Sequence, residues 1–412
     1  MMNVRRFLGP SHFIFNTNVR YSHKTCRIMG IETSCDDTGC AIVDSHRNIV
    51  SEFLHSQQET HINFGGIIPP IARNLHKEHI ERVVTETLKQ SHFTLQDVDA
   101  IAVTIKPGLS LSLLVGMNYA KHLCRISSKP LIPIHHMEAH ALTARLTDEN
   151  LQMPFLVLLI SGGHCLLAVV KNVDTFLLLG QSVDDAPGEA LDKAARRLQL
   201  KNFKEFRHCS GGQAIERAAT KGDAKAIDLG TFMTGYKDCN FSFSGLKNTI
   251  RTQILKFEKK HDIKGDEIIP EVYDLCASIQ YSITKHICTR VQRAMEFIDR
   301  TNMIPKNNRT LVISGGVASN MFIRKYLNAL CDDMAYNLSV PPPALCTDNG
   351  VMIAWNGIEK FSKHLDIFSH DNLDKIDILP KAPLGKDISQ EVSDMNIRCP
   401  SGFFNKLYNS NK

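Results

Sequence analysis

The sequence predicts an α/β protein of two lobes that holds a nucleotide and a divalent metal between them. Three observations carry this. The chain has 412 residues, enough for two domains and a sizeable core. A buried strand followed by a glycine-bearing turn recurs along it, with the same Ser-Gly-Gly at Ser161 to Gly163 and at Ser314 to Gly316. Two histidines, His136 and His140, stand four apart just after the apolar run Leu131 to Ile134. On a helix that spacing turns both imidazoles to one face, as two metal ligands require.

Composition narrows the class. Apolar content of 43% and charged content of 22% describe an ordinary globular chain. The formal charge of +5 is matched by the N-terminus alone, where Arg5, Arg6, Arg20, Lys24 and Arg27 precede the first acid, Glu32. The basic balance therefore says nothing about nucleic-acid binding by the folded body. An arginine-rich, acid-free start containing Ser and Asn reads as a mitochondrial presequence. The longest apolar run, Phe155 to Ile160, is strand-sized and far short of the ~20 residues of a membrane span. Twelve cysteines without a CxxC pair exclude a zinc ribbon and a disulfide framework, and fit a reducing compartment.

The elements follow in order. Ile28 to Val43 (IMGIETSCDDTGCAIV) reads as a hairpin whose tip, Thr33, Ser34, Asp36, Asp37 and Thr38, suits a phosphate or metal as well as a bare turn. Gln57 to Leu88 opens as a loop with Gly65, Gly66, Pro69 and Pro70. It then becomes a helix on Ile71, Leu75, Ile80 and Val84, where His61, His76 and His79 read as capping or surface groups. Val98 to Cys124 is a buried strand, a Pro-Gly turn and an amphipathic helix, whose N-terminus is a natural anion site. Pro154 to Val170 is a strand, a Gly-Gly turn and a second strand; Thr310 to Leu327 is a strand, the same turn and a helix. Ser182 to Leu200 leads into a helix with Asp192 in its early turns, and Cys209 to Glu216 gives another Gly-Gly turn before a helix. Asn240 to Ile250 alternates like a strand. Glu271 to Ile298 is a long helix with Leu275, Ile279, Ile283 and Ile287 at steps of four, and with Arg290 and Arg293 on a solvated face or against RNA phosphates. Ala344 to Phe361 reads as strand end, turn and helix, offering Asp348 of CTDNG as a third metal ligand. The last fifty or so residues are polar and motif-poor.

Taken together the motifs resemble the tRNA N6-adenosine threonylcarbamoyltransferase family, from about Ile28 to about Phe361, and most of all its mitochondrial branch. GIETSCDDT, GGIIPPIAR, KPGL, HMEAH, SGGH, DDAPGEALDKAA, SFSGLK, SGGVASN and TDNG stand here in the family's order. The resemblance implies the two-lobed fold shared by actin, sugar kinases and Hsp70 ATPases, with the ligand in the interlobe cleft. It divides the chain into a presequence (1–27), a first lobe (28–133, completed by about 349–380), a second lobe (134–348) and a polar tail (381–412). It implies transfer of threonylcarbamoyl from threonylcarbamoyl-adenylate to N6 of the adenosine 3′ to the anticodon, in mitochondrial tRNAs reading codons that begin with A, with release of AMP in the matrix.

By motif position, His136, His140 and Asp348 would bind one divalent cation per subunit, Fe, Zn or Mn being undistinguished. Ile160, Ser161, Gly162, Gly163 and His164 would line the adenylate site, Asp192 would hold the ribose, and Gly212, Glu216 and Asn320 would contact the nucleotide. A homodimer without membrane insertion is implied. The chain departs from the family pattern at Lys106, Cys165 and Ser210, where glycine, threonine and proline are frequent. Rival readings are an ATP-dependent small-molecule kinase of the same fold, which has no need of HMEAH, and a non-enzymatic nucleotide-binding partner protein. A metalloprotease fits less well, because Glu138 lies two residues from each histidine and faces away from them on a helix.

Overall fold

The computed structural model describes residues 25–64, 66–400 and 402–410. The segment expected as a presequence lies outside the described residues except for its last three, of which Arg27 opens the first strand. The strands are β1 Arg27–Glu32, β2 Asp37–Asp44, β3 Ile49–Ser56, β4 Ala100–Lys106, β5 Leu131–His135, β6 Phe155–Ile160, β7 Cys165–Asn172, β8 Thr175–Gln181, β9 Thr310–Ser314, β10 Asn337–Ser339 and β11 Lys386–Asp387. The helices are α1 Gln58–Asn63, α2 Pro69–Ser91, α3 Ser110–Ser127, α4 His136–Thr147, α5 Pro187–Arg197, α6 Gly211–Ala219, α7 Ser244–His261, α8 Val272–Thr301, α9 Met321–Met334, α10 Pro343–Cys346, α11 Gly350–Ser362, α12 Ser389–Asp394 and α13 Phe403–Ser410.

Two sheets repeat one plan. The first runs β3-β2-β1-β4-β5 and the second β10-β9-β6-β7-β8-β11. In each, the lead strand pairs antiparallel with the next, that strand pairs antiparallel with a third, and two later strands add parallel on the other side. This duplicated sheet is the two-lobed α/β architecture expected from the sequence. Parallel additions need crossovers, which bring helices onto the faces. Accordingly β5, β6 and β9 are buried at every position.

The layers follow from three hydrophobic clusters. α2 and α3 cover the outer face of the first sheet with Ile80, Val84, Met117 and Ala120. α4 and α11 lie between the sheets, packing Ala139, Leu142, Val351 and Trp355 against Ile132, Ile134, Val157 and Val312. α5 to α9 cover the outer face of the second sheet. α11 lies so close to β1 and β2 that no side chain fits at the crossing. A Cβ on Gly30 would come 2.2 Å from the Ala354 amide nitrogen, and one on Gly350 would come 2.5 Å from that of Ala41. This contact fixes where α11 begins, and with it the position of Asp348 two residues earlier.

Several expectations need correction. Asn240 to Ile250 is not a strand: only a bridge between Phe241 and Ser182 survives, and α7 starts at Ser244. The Asp184 carboxylate accepts the Phe243 and Ser244 N–H groups and both serine hydroxyls there, turning the chain into a helix that buries Leu246, Ile250 and Ile254 at steps of four. Asp348 follows the one-turn helix α10, not a strand. Arg290 and Arg293 face neither solvent nor RNA. Both are buried, donating to the carbonyls of Met233, Tyr236, Asp238 and Ile397. His61 and His76 are buried as well; His76 Nδ1 meets Thr38 Oγ1 at 2.7 Å and its Nε2 the Cys35 carbonyl at 3.0 Å. The stretch 381–412 contributes Ile388, Val392, Ile397, Phe404, Leu407 and Tyr408 to the core of the second lobe.

Candidate functional site

β5 ends at His135, which caps α4 by accepting the Met137 N–H at its Nδ1, 3.2 Å away. The helix then starts at His136, and one turn later His140 lies on the same face. Their rings meet edge to face, 4.6 Å between centroids. Asp348, delivered by the turn before α11, accepts at Oδ1 from His140 Nε2 (3.1 Å) and from His136 Nε2 (3.4 Å). One ligand atom from each of these three residues can be chosen so that all lie within 4.8 Å of one another. Glu138 turns the other way, toward Lys360 Nζ at 3.7 Å.

His136 is also gripped from behind. Its Nδ1 lies 3.2 Å from Glu32 Oε2 and 3.1 Å from Ser34 Oγ. Glu32 ends β1 and is fully buried; it accepts the Thr104 hydroxyl at 2.6 Å and the Ser34 N–H. Two carboxylates therefore face one imidazole. Burial alone would lower the His136 pKa, but Asp348 and Glu32 outweigh it and push it up to about 10. Burial likewise works to raise Asp348, yet His136 and His140 hold it well below the usual carboxylate range. Without an ion, the pocket needs a proton to balance its carboxylates. Two imidazole nitrogens and a carboxylate oxygen are a common donor set for a divalent transition metal. An ion would supply the positive charge that the proton supplies otherwise, so the residues present fit it.

Of the adenylate-site candidates, the Ile160–His164 turn lies beside this trio, within reach of its charges. Ile160 to His164 join β6 to β7. Ser161 Oγ accepts the Gly163 and His164 N–H groups, at 3.3 and 3.0 Å. No atom would come within 4 Å of a Cβ on Gly162 or Gly163, so the space above the turn is open. His164 is close enough to feel both metal-site histidines. Burial first, and then their charge, lowers its pKa to about 4 and keeps it neutral. Beneath the turn, Gly188 N donates to the Ser161 carbonyl, and Gly315 (φ +99°) approaches Ile160 so closely that a Cβ would lie 2.4 Å from its carbonyl oxygen.

Asp192 sits in the middle of α5, later than the early turns expected, and its Oδ1 accepts the Gly212 N–H at 3.1 Å. Asp192 and Gly211 line a cleft of about 760 Å³, whose other side carries Asp36, Gln58, His61 and Ile67 of the first lobe. Glu216 and Asn320 lie together elsewhere. Glu216 Oε1 accepts the Met321 N–H at 2.7 Å, while Asn320 caps α9 and donates to Gln280 Oε1 at 3.0 Å. Glu216, Gln280 and Met321 line a second cavity of about 540 Å³. The structure thus brings the Ile160–His164 turn beside the trio, while Asp192 with Gly212 and Glu216 with Asn320 form two separate pairs at two other cavities, neither of which the trio lines. Sequence reasoning missed Glu32 and Thr104. The available signal was an acid closing a strand whose other members are almost all apolar.

Comparisons with known proteins give the chain relatives along most of its length. A family model described as tRNA N6-adenosine threonylcarbamoyltransferase matches residues 48–355. The Homo sapiens protein named mitochondrial tRNA N6-adenosine threonylcarbamoyltransferase is 48% identical over 388 residues, covering 94% of this chain and 92% of that protein. Its Danio rerio namesake is 47% identical, with 95% of each chain covered. A Drosophila melanogaster protein, named as a probable mitochondrial enzyme of the same kind, is 41% identical over 97% of this chain and 98% of its own.

Proposed function

This chain belongs to the tRNA N6-adenosine threonylcarbamoyltransferase family, and we propose that it moves threonylcarbamoyl from threonylcarbamoyl-adenylate to N6 of the adenosine 3′ to the anticodon in mitochondrial tRNAs that read codons beginning with A. The amine nitrogen bonds to the carbamoyl carbon, the bond from that carbon to the phosphate oxygen breaks, AMP leaves with the electron pair, and N6 gives up one proton. The observation that carries the reading is the trio of His136, His140 and Asp348, whose ligand atoms lie within 4.8 Å of one another.

In this reading His136, His140 and Asp348 hold one divalent cation per subunit. When bound, it supplies a Lewis acid that offsets charge on the donor's phosphate or carbonyl oxygens. The chain's own residues do the rest. Glu32 fixes the His136 ring by holding Nδ1, which leaves Nε2 facing Asp348. Gly162 and Gly163 let the adenylate approach the backbone without a side chain in the way. Asp192 offers its remaining carboxylate oxygen to the ribose hydroxyls, and the Gly212 N–H keeps it aimed. Glu216 lines the second cavity and contacts the nucleotide there, with Asn320 behind it holding Gln280 and the start of α9. A mitochondrial presequence, supported by the acid-free N-terminus and the mitochondrial names of the relatives, completes the reading, together with a homodimer as the family resemblance implies. No described helix is long and apolar enough to cross a membrane.

The test is direct. Purified protein is incubated with unmodified mitochondrial tRNA and preformed threonylcarbamoyl-adenylate. Digested tRNA should contain threonylcarbamoyl-adenosine, with AMP released in equal amount. Asp192→Ala should raise KM for the donor more than it lowers kcat. Absence of product from folded, metal-loaded protein would overturn the proposal.

A further inference from the structure

Leu200 to Ser210 (LKNFKEFRHCS) links α5 to α6 through two short 3-10 turns. Its exposure repeats every three residues. Leu200, Phe206 and Cys209 are buried and Phe203 half-buried, while the two residues after each of the first three are exposed. The two turns are separate, Leu200–Asn202 and Lys204–Phe206, and Phe203 between them is extended (φ −78°, ψ 131°). The residues just after each inward position are Lys201, Lys204 and Arg207, so exposed cations recur every three residues, a stripe in sequence order.

Two further facts separate this stripe from an ordinary solvated face. Among the described residues none of the three cations forms an ion pair, whereas the one acid of the segment, Glu205, is neutralised by Lys221 at 2.6 Å. The segment also borders the cleft: Leu200, Lys201, Asn202, Cys209 and Ser210 line it beside Asp192, Lys201 alone among the three cations. The charges of Arg196 and Lys201 reach Asp192 itself, opposing the rise in its pKa that burial causes.

We infer that Lys201, Lys204 and Arg207 form a phosphate-binding track for the tRNA strand that delivers the target adenosine to the cleft. The inference rests on the function proposed above and adds the surface by which the RNA docks. Three exposed cations on one short segment, with Lys201 lining the cleft, fit a polyanion. Such contacts set register and orientation without reading sequence. Phe203 and Phe206 anchor the track to the second lobe, packing on each other at 5.5 Å between ring centroids, so the cations project from a fixed base.

The experiment measures binding of a fluorescent anticodon stem-loop RNA to full-length protein across a salt series. Wild type is compared with Lys201→Ala/Lys204→Ala/Arg207→Ala, with Lys204→Ala/Arg207→Ala (neither residue lines the cleft), and with Lys363→Ala as a charge control outside the segment. The triple variant should lose about two to three units of the slope of log K against log salt, at about 0.7–0.9 per phosphate contact. It should bind on the order of tenfold or more weaker at low salt and converge on wild type at high salt. The double variant should lose about two-thirds of that slope, and the control should match wild type. Metal content and melting temperature should be unchanged in all of them. A triple variant with wild-type slope and affinity overturns the track and leaves the transferase reading standing. Lost binding to phosphatidylglycerol vesicles with intact RNA binding assigns the stripe to a lipid surface and overturns it too. A wild type that neither binds the RNA nor modifies tRNA refutes the transferase reading and this inference together.

Discussion

Glu32→Gln removes one of the two carboxylates that face His136, and the consequence can be worked from the site. In the ion-free protein the imidazole titrates at about 10, because Asp348 and Glu32 outweigh the effect of burial. At pH 7.5 it is therefore almost fully protonated, whereas an ordinary imidazole near 6.5 would be protonated to only about one part in ten. A metal ion that takes Nε2 must displace that proton. Titration calorimetry at pH 7.5, in two buffers of different ionisation enthalpy, should show about one proton released per ion. A folded pKa raised above the unfolded one gives stability that is complete below about 6.5 and lost as pH rises toward about 10. Ion-free protein should thus lose stability across that window, while metal affinity climbs about tenfold per pH unit. Glu32→Gln lowers the His136 pKa, so fewer protons should be released, and it loosens the ring. Metal affinity should fall about 10–100-fold, as for other partners that orient a ligand. Release near one-tenth of a proton by wild type, an affinity flat with pH, or a Glu32→Gln variant identical to wild type would refute the reasoning.

Three further outcomes follow from the packing. Arg290→Met leaves the carbonyls of Met233, Tyr236 and Asp238 without the guanidinium that lies 2.8–3.1 Å from them; urea unfolding should show a loss of about 3–5 kcal/mol. Gly30→Ala drives a Cβ into the Ala354 amide, so soluble yield should collapse, and any protein recovered should have lost metal because α11 and Asp348 have moved. Asp184→Ala removes the acceptor that starts α7 and should cost about 1–2 kcal/mol at neutral pH. Burial tends to raise the Asp184 pKa, but hydrogen bonds from Ser242, Ser244 and Phe243 leave it lowered. Its contribution is therefore present above the ordinary carboxylate value and lost as pH falls through the folded one, and denaturant midpoints of wild type and variant should converge in acid.

Local pattern made the metal helix legible, because a strand ending in LIPIH and histidines four apart need only short-range geometry. The same holds for α3 and α8, whose apolar residues recur at helical steps. What was not legible depended on distant chain. Arg290 and Arg293 look solvated on a helix until residues 233–239 and Ile397 wrap them. Asn240 to Ile250 shows period two only across Phe241 and Phe243, and it is Asp184, some sixty residues earlier, that turns the chain into α7. Glu32 looks like a surface acid until Thr104 and His136 enclose it. The tail reads as polar because its buried residues, from Ile388 to Tyr408, are widely spaced and find their partners on α8 and α9.

The central claim is that His136, His140 and Asp348 form a metal centre on which threonylcarbamoyl transfer depends. The most direct test runs His140→Ala beside wild type, measuring bound metal by mass spectrometry of the purified proteins and threonylcarbamoyl-adenosine in digested tRNA. The structure predicts about one ion and product from wild type, and neither from a His140→Ala protein that is still folded. Product and metal from both would contradict it.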